Sequence, residues 1–380
     1  MSKEIPDVQF LSKTPILGYG TTELRCVQPA KYLESAGWTT SVGCVYRDMP
    51  RARKAIVFHR VAADSMTLRA MQLARAEHCS ILYDVDDLLF DESAADHLSQ
   101  FGSAGTSEDA VARYRSAMKM ADMVTCSTDY LRDRIKEFHP NCVVMRNGLS
   151  QTLLDVAKNV ESSTLAGKPN VTMAYFSGSG HHDTDFSIIQ PALLRLLETR
   201  PETRLLLVGK LRFDEKLRQF GSRFEYRDFV PYAEFMQMPG QADINLVPLD
   251  QSEPFAQARS ELKYIEAGVF GVPTVASPTR TYAQAIKHGH NGLLCANDDW
   301  YDTLSGLIGD AAMRKKLGLR ACEDVRHSYG PGKRAAQWDA LIRQLSEAPA
   351  STTSGLILPF TKGRQALEIW KRSLKRQIKS

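Results

Sequence analysis

Apolar residues along this chain come in short blocks separated by stretches of helical spacing, and that alternation predicts the architecture. In the first half, residues 55–61 (AIVFHRV) and 80–90 (SILYDVDDLLF) each open with an apolar run of strand type. Between them, residues 66–78 (MTLRAMQLARAEH) place apolar side chains three and four apart, the spacing of one helix face. Residues 122–128 (DMVTCST) and 142–149 (CVVMRNGL) repeat the strand signal around a helical stretch at 130–138 (YLRDRIKEF). Strands alternating with helices argue for a parallel sheet covered on both faces. Residues 151–170 are polar with Gly and Pro near their end, and read as a linker or a helix running into one.

The alternation then restarts. Strands are predicted at 171–178 (VTMAYFSG), 204–209 (RLLLVG), 224–230 (FEYRDFV), 244–249 (INLVPL) and in the PTVAS run ending at 277, with helices at 186–200 and 260–270 and helical spacing on to about 327. The expected fold is therefore α/β, two Rossmann-like doubly wound domains facing a central cleft. Their predicted extents are 1–160 and 170–330. A helix at 331–348 returns to the first domain, and a basic amphipathic tail occupies 349–380.

Composition narrows the class. A chain of 380 residues exceeds one ordinary core, and its 43% hydrophobic and 24% charged residues are those of a soluble globular protein. No apolar run is long enough to cross a bilayer, and MSKEIPDVQF lacks a basic-then-apolar leader, so the expected location is the cytoplasm. The seven cysteines are scattered without a C-x-x-C pair, which argues against a metal site or a disulfide framework. A net charge of +4 gives no reason to expect a nucleic-acid partner. The basic residues are uneven, however: residues 362–380 hold seven of them, beside an apolar stripe of Leu367, Trp370, Leu374 and Ile378. Such a segment suits an anionic inner-membrane surface, or a helix packing back on the first domain.

The residues that carry chemistry cluster where strands should end. The richest stretch is 254–277 (PFAQARSELKYIEAGVFGVPTVAS), a polar loop, a helix, a Gly-x-Pro turn and a strand. Its loop and helix start can hold a diphosphate, and the Glu266 carboxylate can accept hydrogen bonds from two vicinal ribose hydroxyls. Arg259, Ser260 and Lys263 add two cations and a hydroxyl for a diphosphate leaving group. Gly178 and Ser179, in FSGSGHHDTDF, form a turn suited to phosphate, and Lys210 follows another strand. Read blandly, Glu266, Arg259 and Lys263 are solvated helix residues. Early in the chain, Gly20 and Thr21 in LGYGTTELR form an acceptor or phosphate loop, or simply a strand-to-helix turn. Asp84, Asp86 and Asp87 crowd the end of one strand, where mutual repulsion calls for a metal, basic neighbours or a function. Asp86 or Asp87 is the candidate for binding a substrate hydroxyl or acting as general base, Asp87 as a helix cap being the alternative.

These residues resemble the GT-B glycosyltransferases, in particular the retaining family-4 group, in its polysaccharide and O-antigen branch. The resemblance covers nearly the whole chain. It includes Pro29-Ala30 with Leu33, Ala121-Asp122 with Ser127-Thr128 and Leu131, and Asn147-Gly148. It continues through Val208-Gly209, Ala242-Asp243, Pro248-Leu249, Glu266-Ala267 with Gly271-x-Pro273, and His290-Asn291-Gly292-Leu293-Leu294 with Trp300. The family's usual pair of Glu is broken, because Ala258 stands eight residues before Glu266; Glu253 replaces the first Glu only across a longer loop.

The resemblance implies a transferase moving a hexosyl or deoxyhexosyl group from a nucleotide diphosphate-sugar to a hydroxyl of a glycan or lipid-linked acceptor, with retention. Donor binding is implied for the second domain and acceptor binding for the first. Cation-assisted departure implies no metal and no cofactor. The broken Glu pair leaves open a non-catalytic nucleotide-sugar-binding subunit, and an epimerase acting on the nucleotide sugar is a further alternative.

Overall fold

The computed structural model describes residues 4–13, 20–94, 107–161, 170–178 and 183–347. The chain divides into two units: the first ends at Arg146 and resumes at Arg334, and the second is Asn147–Lys333. The division falls earlier than the expected one at 160–170. Leu153 and Ala157 of the helix Gln151–Glu161 are buried with Tyr264, Ile265 and Tyr329, so that helix belongs to the second unit.

The first unit holds β1 (Val8–Ser12), β2 (Thr40–Cys44), β3 (Ala55–His59), β4 (Ser80–Val85), β5 (Met123–Cys126) and β6 (Cys142–Val144). All pairings are parallel, in the order β2-β1-β3-β4-β5-β6. The sequence pattern did not reveal β1 and β2. β1 is buried along all five residues, so no alternation marks it. β4 is shorter than its apolar run suggested, which leaves Asp86 and Asp87 beyond its carboxyl end. Side chains start the flanking helices where expected. Asp64 caps Ser65–Ala76 by accepting from the Thr67 amide at 2.8 Å, and Thr128 caps Asp129–Lys136. The helix Pro331–Glu347 brings Trp338, Leu341 and Ile342 onto Phe10, Val57 and Leu82. Trp338 meets Phe10 edge-on at 5.7 Å, and the Trp38 indole donates to Asp339 at 2.8 Å.

The second unit holds β7 (Val171–Phe176), β8 (Thr203–Val208), β9 (Phe224–Arg227), β10 (Ile244–Val247), β11 (Thr274–Ala276) and β12 (Leu293–Leu294). They are parallel in the order β12-β11-β10-β7-β8-β9. This is a doubly wound sheet whose order reverses between β7 and β10, the place where such sheets bind ligands at their carboxyl ends. Among the described residues no helix is long and apolar enough to cross a membrane.

One glycine fixes the approach to that switch point. Gly209, at φ +106°, follows β8, and a Cβ on it would stand 1.7 Å from the Ser177 carbonyl oxygen at the exit of β7. Gly209→Ala is expected to destabilise the second unit by about 1–3 kcal/mol through overpacking, with roughly 1 kcal/mol more for the left-handed backbone. Urea titration reads the loss; an unchanged midpoint would show that the two strand exits relax freely.

Candidate functional site

The carboxyl ends of β7 and β10 gather the polar residues of the second unit. After β10 the chain makes two short helices, Pro254–Ala258 and Leu262–Gly268, broken at Arg259 by extended backbone. Arg259 and Ser260 therefore precede the second helix, and only Lys263 and Glu266 lie on it, one turn apart. Neither is solvated, which removes the bland reading. Lys263 is half-buried as a residue, but its ammonium is buried, 4.4 Å from the centre of the Tyr175 ring and with no hydrogen-bond partner among the described residues. Burial, with the Arg259 charge in support, pushes the Lys263 ammonium down to about 7. Burial pushes the Glu266 carboxyl the other way, up to about 8, against the hydrogen bond it accepts from the Tyr232 hydroxyl at 3.2 Å. Arg259 is held by Asp185 at 2.7 Å, and the Ser260 hydroxyl accepts from the Asn147 amide at 2.9 Å.

The site's remaining predicted residues divide. Gly178 is exposed just past β7, with open space where a Cβ would be. Lys210 is exposed past β8, and its carbonyl accepts from the Ser177 hydroxyl at 3.1 Å. Ser179 lies outside the described residues. Glu253, the replacement for the first Glu of the broken pair, is exposed. Glu261 is buried and accepts from the Tyr329 hydroxyl at 2.9 Å.

In the first unit the three crowded carboxylates part company. Asp84 ends inside the sheet, fully buried, and accepts from Arg25 through two nitrogens at 3.0 and 2.6 Å and from the Thr125 hydroxyl at 2.7 Å. His59 Nδ1 lies 3.0 Å from the same carboxylate. Burial alone would raise its pKa, but Arg25 and His59 hold it well below the usual carboxylate range. Asp84 is thus a structural hub joining the helical residues 20–35 to β3, β4 and β5. Asp86 and Asp87 point elsewhere, to Arg60 at 3.4 and 2.7 Å. Arg60 takes a left-handed backbone at φ +51°, a position that costs energy for a residue with a Cβ. Desolvation leaves Asp86 raised despite that arginine. Gly20 and Thr21 form the first turn of a helical run rather than an open loop, and Thr22 beside them is buried.

Several of these partners escaped the sequence reading. Asp185 lay within the quoted HDTDF stretch but was passed over, and Tyr175 looked like any inward strand residue. Tyr232, Arg60 and His59 carried no local motif; only their neighbours in space mark them.

With this geometry in view, residues 174–310 match the family described as "Glycosyl transferases group 1". A 134-residue stretch is 31% identical to the D-inositol 3-phosphate glycosyltransferase of Nocardia farcinica, covering 34% of this chain and 26% of that relative. The chain thus spans about a quarter of the length of that curated relative. Among solved structures, Anabaena Alr3699/HepE in complex with UDP and glucose superposes with a TM-score of 0.62 at 15% identity, covering 89% of this chain and 99% of that one. Sucrose-phosphate synthase from Thermosynechococcus elongatus gives 0.62 at 14% identity, with the same 89% and 99% coverage. The chain has the GT-B fold of these structures, and the stretch of its second unit at 174–310 is the part similar to the group 1 glycosyltransferases.

Proposed function

We propose that this protein is a retaining glycosyltransferase that moves a hexosyl or deoxyhexosyl group from a nucleoside diphosphate sugar to a hydroxyl of a glycan or lipid-linked acceptor, in the synthesis of a cell-surface polysaccharide or glycoconjugate. One observation carries the reading: the buried ammonium of Lys263 and the buried side chain of Glu266 lie one turn apart beside the switch point of the second unit. A buried ammonium without a hydrogen-bond partner is costly unless an anion completes it, and a diphosphate supplies that anion. Glu266 then accepts from the vicinal ribose hydroxyls. As the bond from the anomeric carbon to the diphosphate breaks, charge grows on the leaving oxygen, and the Lys263 and Arg259 cations stabilise it. In this proposal transfer needs no metal ion.

Calorimetry with UDP and UDP-glucose, the ligands of HepE, and then with guanosine and adenosine counterparts, tests the donor site. Turnover with a mixed pool of lipid-linked acceptors tests the transfer. No nucleotide binding by any of these would end the reading. Binding without turnover would favour the scaffold alternative, and isomerised donor without acceptor the epimerase.

The acceptor is proposed for the first unit, with Asp86 receiving a hydrogen bond from its hydroxyl. Asp86→Asn is expected to lower transfer about tenfold, the scale of one charged hydrogen bond, and to leave UDP-glucose affinity unchanged. Activity should persist in EDTA; loss with chelator and recovery with Mn²⁺ would restore a metal to the site. Residues 362–380 lie outside the described residues. Their seven basic side chains support a peripheral site on an anionic inner leaflet, at on the order of 1 kcal/mol for each charge near the surface. Full-length protein should co-sediment with phosphatidylserine vesicles at low salt and release at high salt, unlike a chain ending at Ala350. Equal sedimentation of the two would exclude that role.

A further inference from the structure

We propose that Asp185 is a positioning residue of the donor site: its carboxylate fixes the Arg259 guanidinium beside the Lys263 ammonium, so that the two cations form one cradle for a diphosphate. This rests on the second unit being the nucleotide-sugar site.

The geometry begins with a weakness in the backbone. Arg259 sits in the break between two short helices, at φ −64° and ψ 137°, where no continuing helix holds it. Its long side chain loses rotamer freedom on being ordered, and something must supply the contacts that hold it. Asp185 does so from another segment, the short helix Asp183–Ser187 after β7. Its Oδ2 takes Arg259 Nη1 at 2.7 Å, and its Oδ1 accepts from the Asp250 amide at 2.9 Å, beyond the end of β10. Both side chains are largely buried, at 13% and 7% exposure, so the pair is not a screened surface contact. Phe186, next in the chain, packs at 5.0 Å on Tyr175, the ring that lies under the Lys263 ammonium. One carboxylate thus braces the strand exits on both sides of the switch point.

Asp185 acts through Arg259. Each of its oxygens meets a protein donor, one of them the Arg259 guanidinium, and as an anion it would repel rather than bind a diphosphate. Two neighbouring cations repel, and Arg259 is among the charges that draw the proton from Lys263, while Asp185 and Glu266 help to hold it. The charged groups facing Lys263 are therefore Arg259 and Asp185 from their own segments and Glu266 from its own helix, with the Tyr175 ring beneath. Removing Asp185 frees Arg259 at any pH, and takes away one of the negative charges that help Lys263 to keep its proton. An asparagine cannot stand in, because both partners are donors and an amide offers only one acceptor oxygen.

The test uses the full chain with inorganic pyrophosphate, and uridine as the control, by calorimetry at pH 6, where Lys263, at about 7, carries its charge in the wild type. Comparing variant with wild type at one pH cancels the ligand's own titration. Asp185→Asn is expected to weaken pyrophosphate about tenfold and to leave uridine unchanged. An equal loss for uridine, or no loss at all, would each overturn the proposal. Arg259→Gln supplies the second comparison and a neutral background in which a misfolded single variant is bypassed. There, adding Asp185→Asn should change pyrophosphate affinity less than twofold; a further tenfold loss would show Asp185 acting on its own and overturn it. Wild-type protein that ignores pyrophosphate overturns the cradle outright. Wild-type protein that binds pyrophosphate through Asp185 yet turns over no nucleotide sugar keeps this inference and ends the transferase reading.

Discussion

Replacing Glu266 with glutamine should weaken UDP-glucose binding about 10- to 150-fold, the equivalent of roughly 1.5–3 kcal/mol for hydrogen bonds to a charged acceptor. Glutamine keeps the volume of the buried side chain but offers one acceptor oxygen in place of two, and no charge. The pH dependence separates a binding role from a packing role. Burial pushes the free Glu266 carboxyl up to about 8, so at lower pH the free protein holds a proton there. Ribose hydroxyls donate to the carboxylate form. Binding must then release that proton, and affinity should fall as pH drops below about 8. The glutamine variant has no proton to release and should lose this acid limb. Calorimetry with UDP-glucose from pH 6 to 9 reads both effects. An acid limb that survives in Glu266→Gln would place the titrating group elsewhere and take Glu266 out of the ribose contact.

The sequence made the second unit easier to read than the first, for physical reasons. Strands β7, β8 and β10 are short, mostly apolar runs, and the Glu266-Ala267 to Gly271-x-Pro273 segment joins helix, turn and strand in one window. Local sequence therefore carried both the fold and the candidate residues Lys263 and Glu266. It could not say whether they were buried, because a charged residue on a helix is normally solvated; burial here comes from Tyr175 on β7 and Tyr232 after β9, contributed from far along the chain. Arg259 was legible as a cation but not as half of an ion pair, since Asp185 lies 74 residues away. In the first unit, the acidic run at 84–87 announced trouble without saying how it was solved. Alternation along β4 turns Asp84 inward to Arg25, while Asp86 and Asp87 beyond the strand reach Arg60. That split depends on where the strand stops, and an apolar run continuing through Leu88-Leu89-Phe90 hides the stop.

Lys263→Met should separate catalysis from stability. Methionine fills nearly the same volume over the Tyr175 ring and keeps contact with it, but removes the cation. Loss of one preorganised charge at the departing diphosphate is expected to lower kcat about 10²- to 10³-fold. KM should change less, because the charge on the leaving oxygen is greatest in the transition state. The same substitution should stabilise the protein by about 1 kcal/mol, since it replaces a buried ammonium that has no hydrogen-bond partner among the described residues. The sign with pH follows from the lowered pKa. Between about 7 in the folded chain and 10.5 in the unfolded one, the unfolded chain binds the extra proton, so wild-type stability gains from this group as pH rises. The advantage of the methionine variant is therefore largest at or below pH 7 and fades toward pH 10.5. Steady-state kinetics and urea titrations at pH 7 and 9 measure the two halves. A variant that loses stability and activity together would make Lys263 a packing element. A variant that keeps kcat would leave the departing diphosphate to Arg259 alone.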